Sequence, residues 1–307
     1  MADTKRFPPQ GRGNPPSPPE PSPPEHETRS RGMTPWAPSA PPPSSARPAG
    51  PLAEMAEMAR KDPELSRKTV MIQAPERQSP MAVVQQPPQI DAVRHELPED
   101  MPPDRRLVLV RDTDSERAAA FRVLRHHLLE RGRSKVVAVS SPRDREGKTT
   151  TAVNLALALS ECGRARVLLI DGNLRRPELA GLFRFVPPWC FAEQLQVHRE
   201  QPLLPWGVVD IPALYLQVAA INPRRDPGRL LDAPAFAIAV ERLGLGPYDH
   251  LVIDCPSVLG SADVNLIQDS ADGVLLVTRR KQSTGRDLKQ AVEQLMPSKI
   301  LGTALLE

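Results

Sequence analysis

The runs VVAVS (residues 136–140), VLLID (167–171), LVID (251–254) and GVLLV (273–277) are apolar at nearly every position, not at every second one. A strand with one face in water alternates; these do not, and at four or five residues they are too short for helices. They predict a mainly parallel sheet covered by helices on both faces. Predicted strands are 107–111, 135–140, 166–171, 215–219, 250–254, 273–278 and 300–305. Predicted helices are 115–131, 149–162, 177–183, 229–243, 262–269 and 284–296. In the first helix Ser115 is a candidate N-cap, and Phe121, Leu124, Leu128 and Leu129 share a face. The fold class is therefore α/β, doubly wound.

Proline shows where this pattern can begin: 24 of the 37 prolines fall in the first 103 residues. That segment is rich in Pro, Ser, Gln and Glu and almost free of aromatics, so it lacks the apolar surface to offset the entropy of ordering. The reading is a disordered Pro-rich arm over residues 1–104 and one folded domain over 105–307, a size one core can serve. Within the arm, 51–61 is a short helix candidate with Leu52, Met55, Ala56 and Ala59 on one face, read as solvated linker, with a docking peptide for a partner as the alternative.

Lys and Arg total 40 against 37 Asp and Glu. A net charge of +3 implies no nucleic-acid or membrane field, and no nucleic-acid partner is expected. The region after residue 104 holds 28 basic and 23 acidic side chains, a mild excess that suits anionic ligands. Cys162, Cys190 and Cys255 form neither a disulfide framework nor a zinc pattern, which fits a reducing cytoplasm. No apolar run reaches the ~20 residues that span a bilayer, and the N-terminus lacks a signal-peptide core. Direct membrane insertion is not expected.

The chemistry concentrates in VVAVSSPRDREGKTTTAVN (136–154): a buried strand, a tight loop, and Gly147-Lys148-Thr149 opening a helix. In a P-loop, backbone N–H groups and the helix N-terminus wrap the phosphates, the lysine reaches the β and γ oxygens, and the next hydroxyl ligates Mg²⁺. The candidate nucleotide-binding stretch is Arg143, Asp144, Arg145, Glu146, Gly147, Lys148, Thr149 and Thr150. Pro142 stands where the full motif has its first glycine. If the loop needs φ > 0 at Arg143 or Arg145, the non-glycine residue costs about 1 kcal/mol. Asp171 and Asp254 each end a buried strand, at the sheet edge where open α/β folds bind ligands. With Thr149 they form a candidate Mg²⁺ set, and the expected cofactors are ATP and Mg²⁺.

These segments resemble the bacterial tyrosine kinase family of capsule and exopolysaccharide autokinases, within the MinD and ParA type of P-loop ATPase. The resemblance covers about residues 105–306. EGKTTTAVNLALALSECGRARVLLIDGNLRRPELAGLF resembles the Walker A and A′ regions, PGRLL the P-x-E-L-L segment, YDHLVIDCPSVLGSADVNLIQDSADGVLLV the Walker B region, and KILGTALLE the last strand. The resemblance implies that Lys148 and Thr149 hold ATP and Mg²⁺, and that Asp171 and Asp254 organise the metal. The family's second Walker A′ aspartate is Asn173 here, an amide that cannot serve as general base.

The family's ring contact, E-x-x-R-x-x-R, is matched by Arg122 and Arg125, with Ala119 at the glutamate position; this is the candidate homo-oligomer surface. The family's tyrosine tail has no match. Tyr215 and Tyr248 fall in predicted core elements, so any phosphorylated tyrosine is expected on another protein. The implied function is a cytoplasmic, ATP-binding, tyrosine-kinase-like regulator of polysaccharide synthesis or export, held at the membrane by an embedded co-polymerase or chain-length partner. The alternatives are a catalytically weak pseudokinase and a MinD or ParA type positioning ATPase, in which Arg143 would mimic the lysine that reaches a neighbouring subunit's phosphate. Cys255, after Asp254, is read as a small buried residue with conceivable oxidation sensitivity.

Overall fold

The computed structural model describes residues 86–307 apart from 131, 133 and 225–230. The 51–61 helix candidate and most of the PGRLL segment lie outside the described residues. Strands β1 (Ile90–Arg94), β2 (Val136–Ser140), β3 (Val167–Asp171), β4 (Trp206–Ile211), β5 (Leu216–Ala219), β6 (His250–Asp254), β7 (Gly273–Arg279) and β8 (Ile300–Leu306) form one sheet. Their order is β1-β4-β5-β3-β6-β2-β7-β8. Every neighbouring pair is parallel except β4 with β5.

The helices are α1 (Val108–Arg111), α2 (Glu116–Glu130), α3 (Lys148–Ser160), α4 (Leu179–Phe183), α5 (Phe191–Glu200), α6 (Ala233–Gly244), α7 (Asp263–Ser270) and α8 (Gly285–Gln294). α1 to α4 pack with Val137, Val139 and Leu169 on one side of the sheet. α5 to α8 pack with Ala138, Leu168 and Ile170 on the other. Both faces of β2 and β3 are thereby buried, as the unbroken apolar runs require. The central strands β3, β6 and β2 run side by side, so their carboxyl ends meet.

The fold departs from the sequence reading in five places. The sheet begins at Ile90, inside the segment assigned to the arm. IDAVR was legible only as polar linker because β1 is an edge strand with four exposed residues. Residues 107–111 predicted a strand from their β-branched content, yet Val108–Arg111 is helical. Tertiary contacts override propensity there: the α1 amide of Leu109 donates to Asn154 Oδ1 at 3.2 Å, and Leu107 and Leu109 are buried. β4 and α5 were not anticipated. Leu129, expected on the buried face of α2, is exposed, while Ala118 takes part in that face and Ser115 Oγ caps the helix by accepting from the Ala118 amide. Tyr215, expected inside a strand, precedes β5 at φ 52 and is 59% exposed. Tyr248 is buried as expected, its hydroxyl donating to Gln217 Oε1 at 2.7 Å.

Asn154 ties the segment before α2 to α3. Its Nδ2 donates to the carbonyls of Arg106 (2.6 Å) and Thr150 (2.7 Å), while its Oδ1 serves Leu109. Asn154→Leu leaves the Leu109 N–H unpaired in a buried setting and strips one donor from the Arg106 carbonyl, and is expected to cost about 1–3 kcal/mol in urea unfolding. An unchanged midpoint would show that this anchor carries no stability.

Candidate functional site

The loop from Ser141 to Gly147 joins the end of β2 to the start of α3. Its first half is fastened to the segment after β6: the Val258 amide donates to the Ser141 carbonyl (2.8 Å) and the Leu259 amide to the Pro142 carbonyl (3.1 Å). Pro142 therefore needs no left-handed backbone. Gly147 does, at φ 97, and so does Arg145 at φ 65. Of the two loop arginines, the strain falls on Arg145. Arg145→Gly is expected to stabilise the nucleotide-free protein by about 1 kcal/mol, read as a shifted urea midpoint. A lower midpoint would mean that Arg145's contacts outweigh its strain.

A cleft of about 560 Å³ opens over this loop. It is lined by six of the sequence-named residues, Asp144, Arg145, Gly147, Lys148, Thr149 and Thr150. Arg143 and Glu146 point their side chains elsewhere. Arg143 Nη2 donates to Asp287 Oδ1 of α8 at 2.8 Å, and the buried Glu146 accepts from the Ser283 hydroxyl at 2.5 Å and from the Arg143 amide at 2.8 Å. These contacts brace the phosphate loop against the β7–α8 connection. They also occupy the guanidinium that a positioning-ATPase reading would aim at a neighbouring subunit.

Beside the sequence-named Asn173, the cleft contains residues the sequence did not single out: Arg106, Arg176, Glu178 and Arg279. Arg106 arrives from 35 residues upstream of the loop, and its guanidinium pairs with Asp104 and Glu178. Arg279 ends β7, and a strand-end position in the GVLLVTRR run was the signal available for it. With Arg145 and Lys148, five cations line the cleft against the carboxylates of Asp144 and Glu178. That balance suits a polyphosphate.

Behind the cleft, Asp171 and Asp254 are register partners at the carboxyl ends of β3 and β6. Both are essentially without solvent contact, and Asp171 Oδ2 and Asp254 Oδ1 have no hydrogen-bond partner. Burial, then the facing Asp254 charge, pushes the Asp171 carboxyl well above the usual range. Burial likewise pushes Asp254 up to about 7, against the restraining hydroxyl of Thr149 and ammonium of Lys148. Two buried carboxylates with orphaned oxygens beside a hydroxyl fit a cation. Among the described residues no group of three His, Cys, Asp or Glu side chains converges to hold a metal unaided. A cation here would complete its shell with Thr149, water and ligand oxygens, which is the preference of Mg²⁺. The adjacent Cys255 is fully buried and its thiol is pushed well up, first by burial and then by Asp254, so it is not a reactive thiolate.

Arg122 and Arg125, the candidate oligomer residues, are engaged within the chain. Arg122 grips Glu161 through Nε (2.9 Å) and Nη2 (2.6 Å), and Arg125 Nη1 donates to the Ala158 carbonyl (2.7 Å) and Glu161 (3.2 Å). Glu161, just past α3, supplies internally the carboxylate that Ala119 lacks.

The doubly wound sheet, the loop opening α3 and the strand-end carboxylates define a P-loop α/β protein. No family model matches the chain. It is 30% identical over 164 residues to the tyrosine-protein kinase CpsD of Streptococcus pneumoniae serotype 4, a match covering 52% of this chain and 70% of that one. It is 28% identical over 184 residues to the succinoglycan biosynthesis transport protein ExoP of Rhizobium meliloti, covering 58% of this chain and 23% of ExoP. The chain thus matches about a quarter of that relative's length. Among solved structures, the VpsO kinase domain superposes with a TM-score of 0.54 at 26% identity, covering 62% of this chain and 94% of that domain. The chain belongs to the bacterial tyrosine kinase family of capsule and exopolysaccharide systems.

Proposed function

We propose that the chain binds ATP with Mg²⁺ in this cleft and acts as a tyrosine-kinase-type regulator of capsule or exopolysaccharide synthesis or export. The observation that carries this reading is the pair of register-matched, orphaned carboxylates, Asp171 and Asp254, beside the Lys148–Thr149 start of α3. Bound Mg²⁺ and ATP supply the transferable phosphoryl group and much of the charge neutralisation. Lys148, with the helix N-terminus behind it, neutralises the β and γ phosphates. Thr149, Asp171 and Asp254 hold the cation, while Arg145, Gly147 and Thr150 shape the phosphate cradle. Arg106, Arg176 and Arg279 add positive charge around it. Among the described residues no helix is long and apolar enough to cross a membrane. The proposed membrane connection is an embedded co-polymerase or chain-length partner, as the family relationship to ExoP-type transport proteins suggests.

The test is incubation of the full chain with γ-labelled ATP and Mg²⁺, with and without such a partner, beside Lys148→Met. The expected result is nucleotide binding and labelled tyrosine on a partner, with binding reduced by at least about tenfold in Lys148→Met, the scale of one charged phosphate contact. Absence of binding overturns the proposal. Binding without transfer favours a pseudokinase, the reading that Asn173 in place of a carboxylate supports.

A further inference from the structure

Lys148 opens α3 with its side chain only 9% exposed, so its ammonium has little water and needs an anion. In this structure that anion is the chain's own. Asp144 lies in the phosphate loop itself, one helical turn before Lys148, with Oδ1 3.3 Å from Lys148 Nζ and Oδ2 3.1 Å from Arg176 Nη1. Both partners line the cleft. Burial pushes the Asp144 carboxyl up, but Ser257, Lys148 and Arg176 together overcome it and hold the group below its ordinary value, so it is ionised at neutral pH.

The same lysine is the one a nucleotide's β and γ oxygens must reach. A carboxylate and a phosphate cannot share it closely without like-charge repulsion. Asp144 faces the cleft, as do Lys148 and Arg176, so the competition takes place where the ligand sits. We propose that Asp144 is a resident anion in the phosphate cradle, a specificity-determining brake that a polyphosphate must displace from Lys148 and Arg176 before it binds. The inference rests on the nucleotide reading above and deepens it. A triphosphate carries charge at the β and γ positions and can repay the displacement. A monophosphate has no oxygens there, never meets Lys148, and leaves the brake closed.

The test is calorimetric titration of the full-length chain with MgATP and with AMP, for wild type, Asp144→Asn, Asp144→Ala and Lys148→Met. Asp144→Asn keeps the side-chain volume while removing the charge. Loss of a half-exposed ion pair and of one repulsion is expected to tighten MgATP binding about tenfold in both Asp144 variants. AMP binding should change less than about twofold, a difference too small to reflect a lost charge contact. If wild type binds MgATP, Lys148→Met does not, and neither Asp144 variant binds more tightly, the brake is overturned while the nucleotide site stands. Equal tightening of AMP also overturns it, because the effect would not lie at the β and γ positions. If none of the four proteins binds MgATP, the nucleotide reading itself fails, and this inference with it.

Discussion

Replacing Asp254 with asparagine is expected to stabilise the metal-free protein by up to about 4 kcal/mol at pH 8 while abolishing Mg²⁺-dependent nucleotide binding. Burial raises the Asp254 carboxyl from 3.8 to about 7. Between those values the folded state holds a proton that the unfolded chain has released. Stability from this group is therefore full below pH 4, falls as pH rises through the window, and is lost above about pH 7. A shift of roughly three units, at about 1.4 kcal/mol each, sets the magnitude. Asparagine has no proton to lose, so its advantage over wild type should be small at pH 4 and grow to its maximum by pH 8. Asp171 is shifted in the same direction and adds to the pH dependence of the wild type. Urea unfolding in chelator at pH 4 and pH 8 measures both arms, and Mg²⁺ with ATP should restore wild-type stability at pH 8 without helping the variant. A variant less stable than wild type at pH 8, or a difference that ignores pH, would show that the carboxylate pair is not held as a strained cation site.

That strained pair was legible from the sequence because it obeys a simple rule: a doubly buried run ending in aspartate places a carboxylate at the sheet's carboxyl edge. VLLID and HLVID both did so, and β3 and β6 pair with Asp171 opposite Asp254. The strand–loop–helix around GKT was legible for a similar reason, since a buried strand, a short loop and GKT leave little freedom. What escaped notice was held together by contacts without local pattern. α5 looked polar because Gln194 and His198 interrupt its apolar period. Both are core residues: Gln194 exchanges hydrogen bonds with the backbone of Gly207 (3.0 and 2.7 Å), and His198 stacks on Trp206 at 3.7 Å between ring centroids. β4, which begins at Trp206, shares that cluster and so was hidden with it. Arg106 could not be assigned to the cleft, because its position is set by Asn154 gripping its carbonyl, a contact 48 residues apart in sequence. Asp144 was named only as part of a loop; its grip on Lys148 follows from how the loop folds around the Arg145 conformation.

Asn173→Asp is expected to raise phosphoryl transfer to tyrosine by about 10²-fold or more, the usual worth of a positioned general base. Asn173 lines the cleft with 7% exposure. Its backbone amide donates to Asp171 Oδ1 at 3.4 Å, and its side-chain Oδ1 accepts from the Arg176 amide at 3.3 Å. Aspartate has the same volume and keeps that acceptor, so the backbone around it need not move. What it adds is an oxygen able to take the proton from an attacking hydroxyl, which an amide cannot do. The third carboxylate is costly when no cation is bound, because it joins two others already pushed up by burial, Asp171 also by the facing Asp254 charge. The metal-free variant should therefore unfold at lower urea than wild type at pH 8. With Mg²⁺ and ATP that penalty is offset, and the gain should appear in turnover, not in nucleotide affinity. Initial rates of phosphotyrosine formation on a Glu/Tyr copolymer, beside Asn173→Ala as the side-chain deletion, separate the two. A variant that binds MgATP as wild type does yet transfers no faster would show that the missing carboxylate is not what limits this chain. The limitation would then lie in the Lys148 cradle and in the Asp144 carboxylate that occupies it.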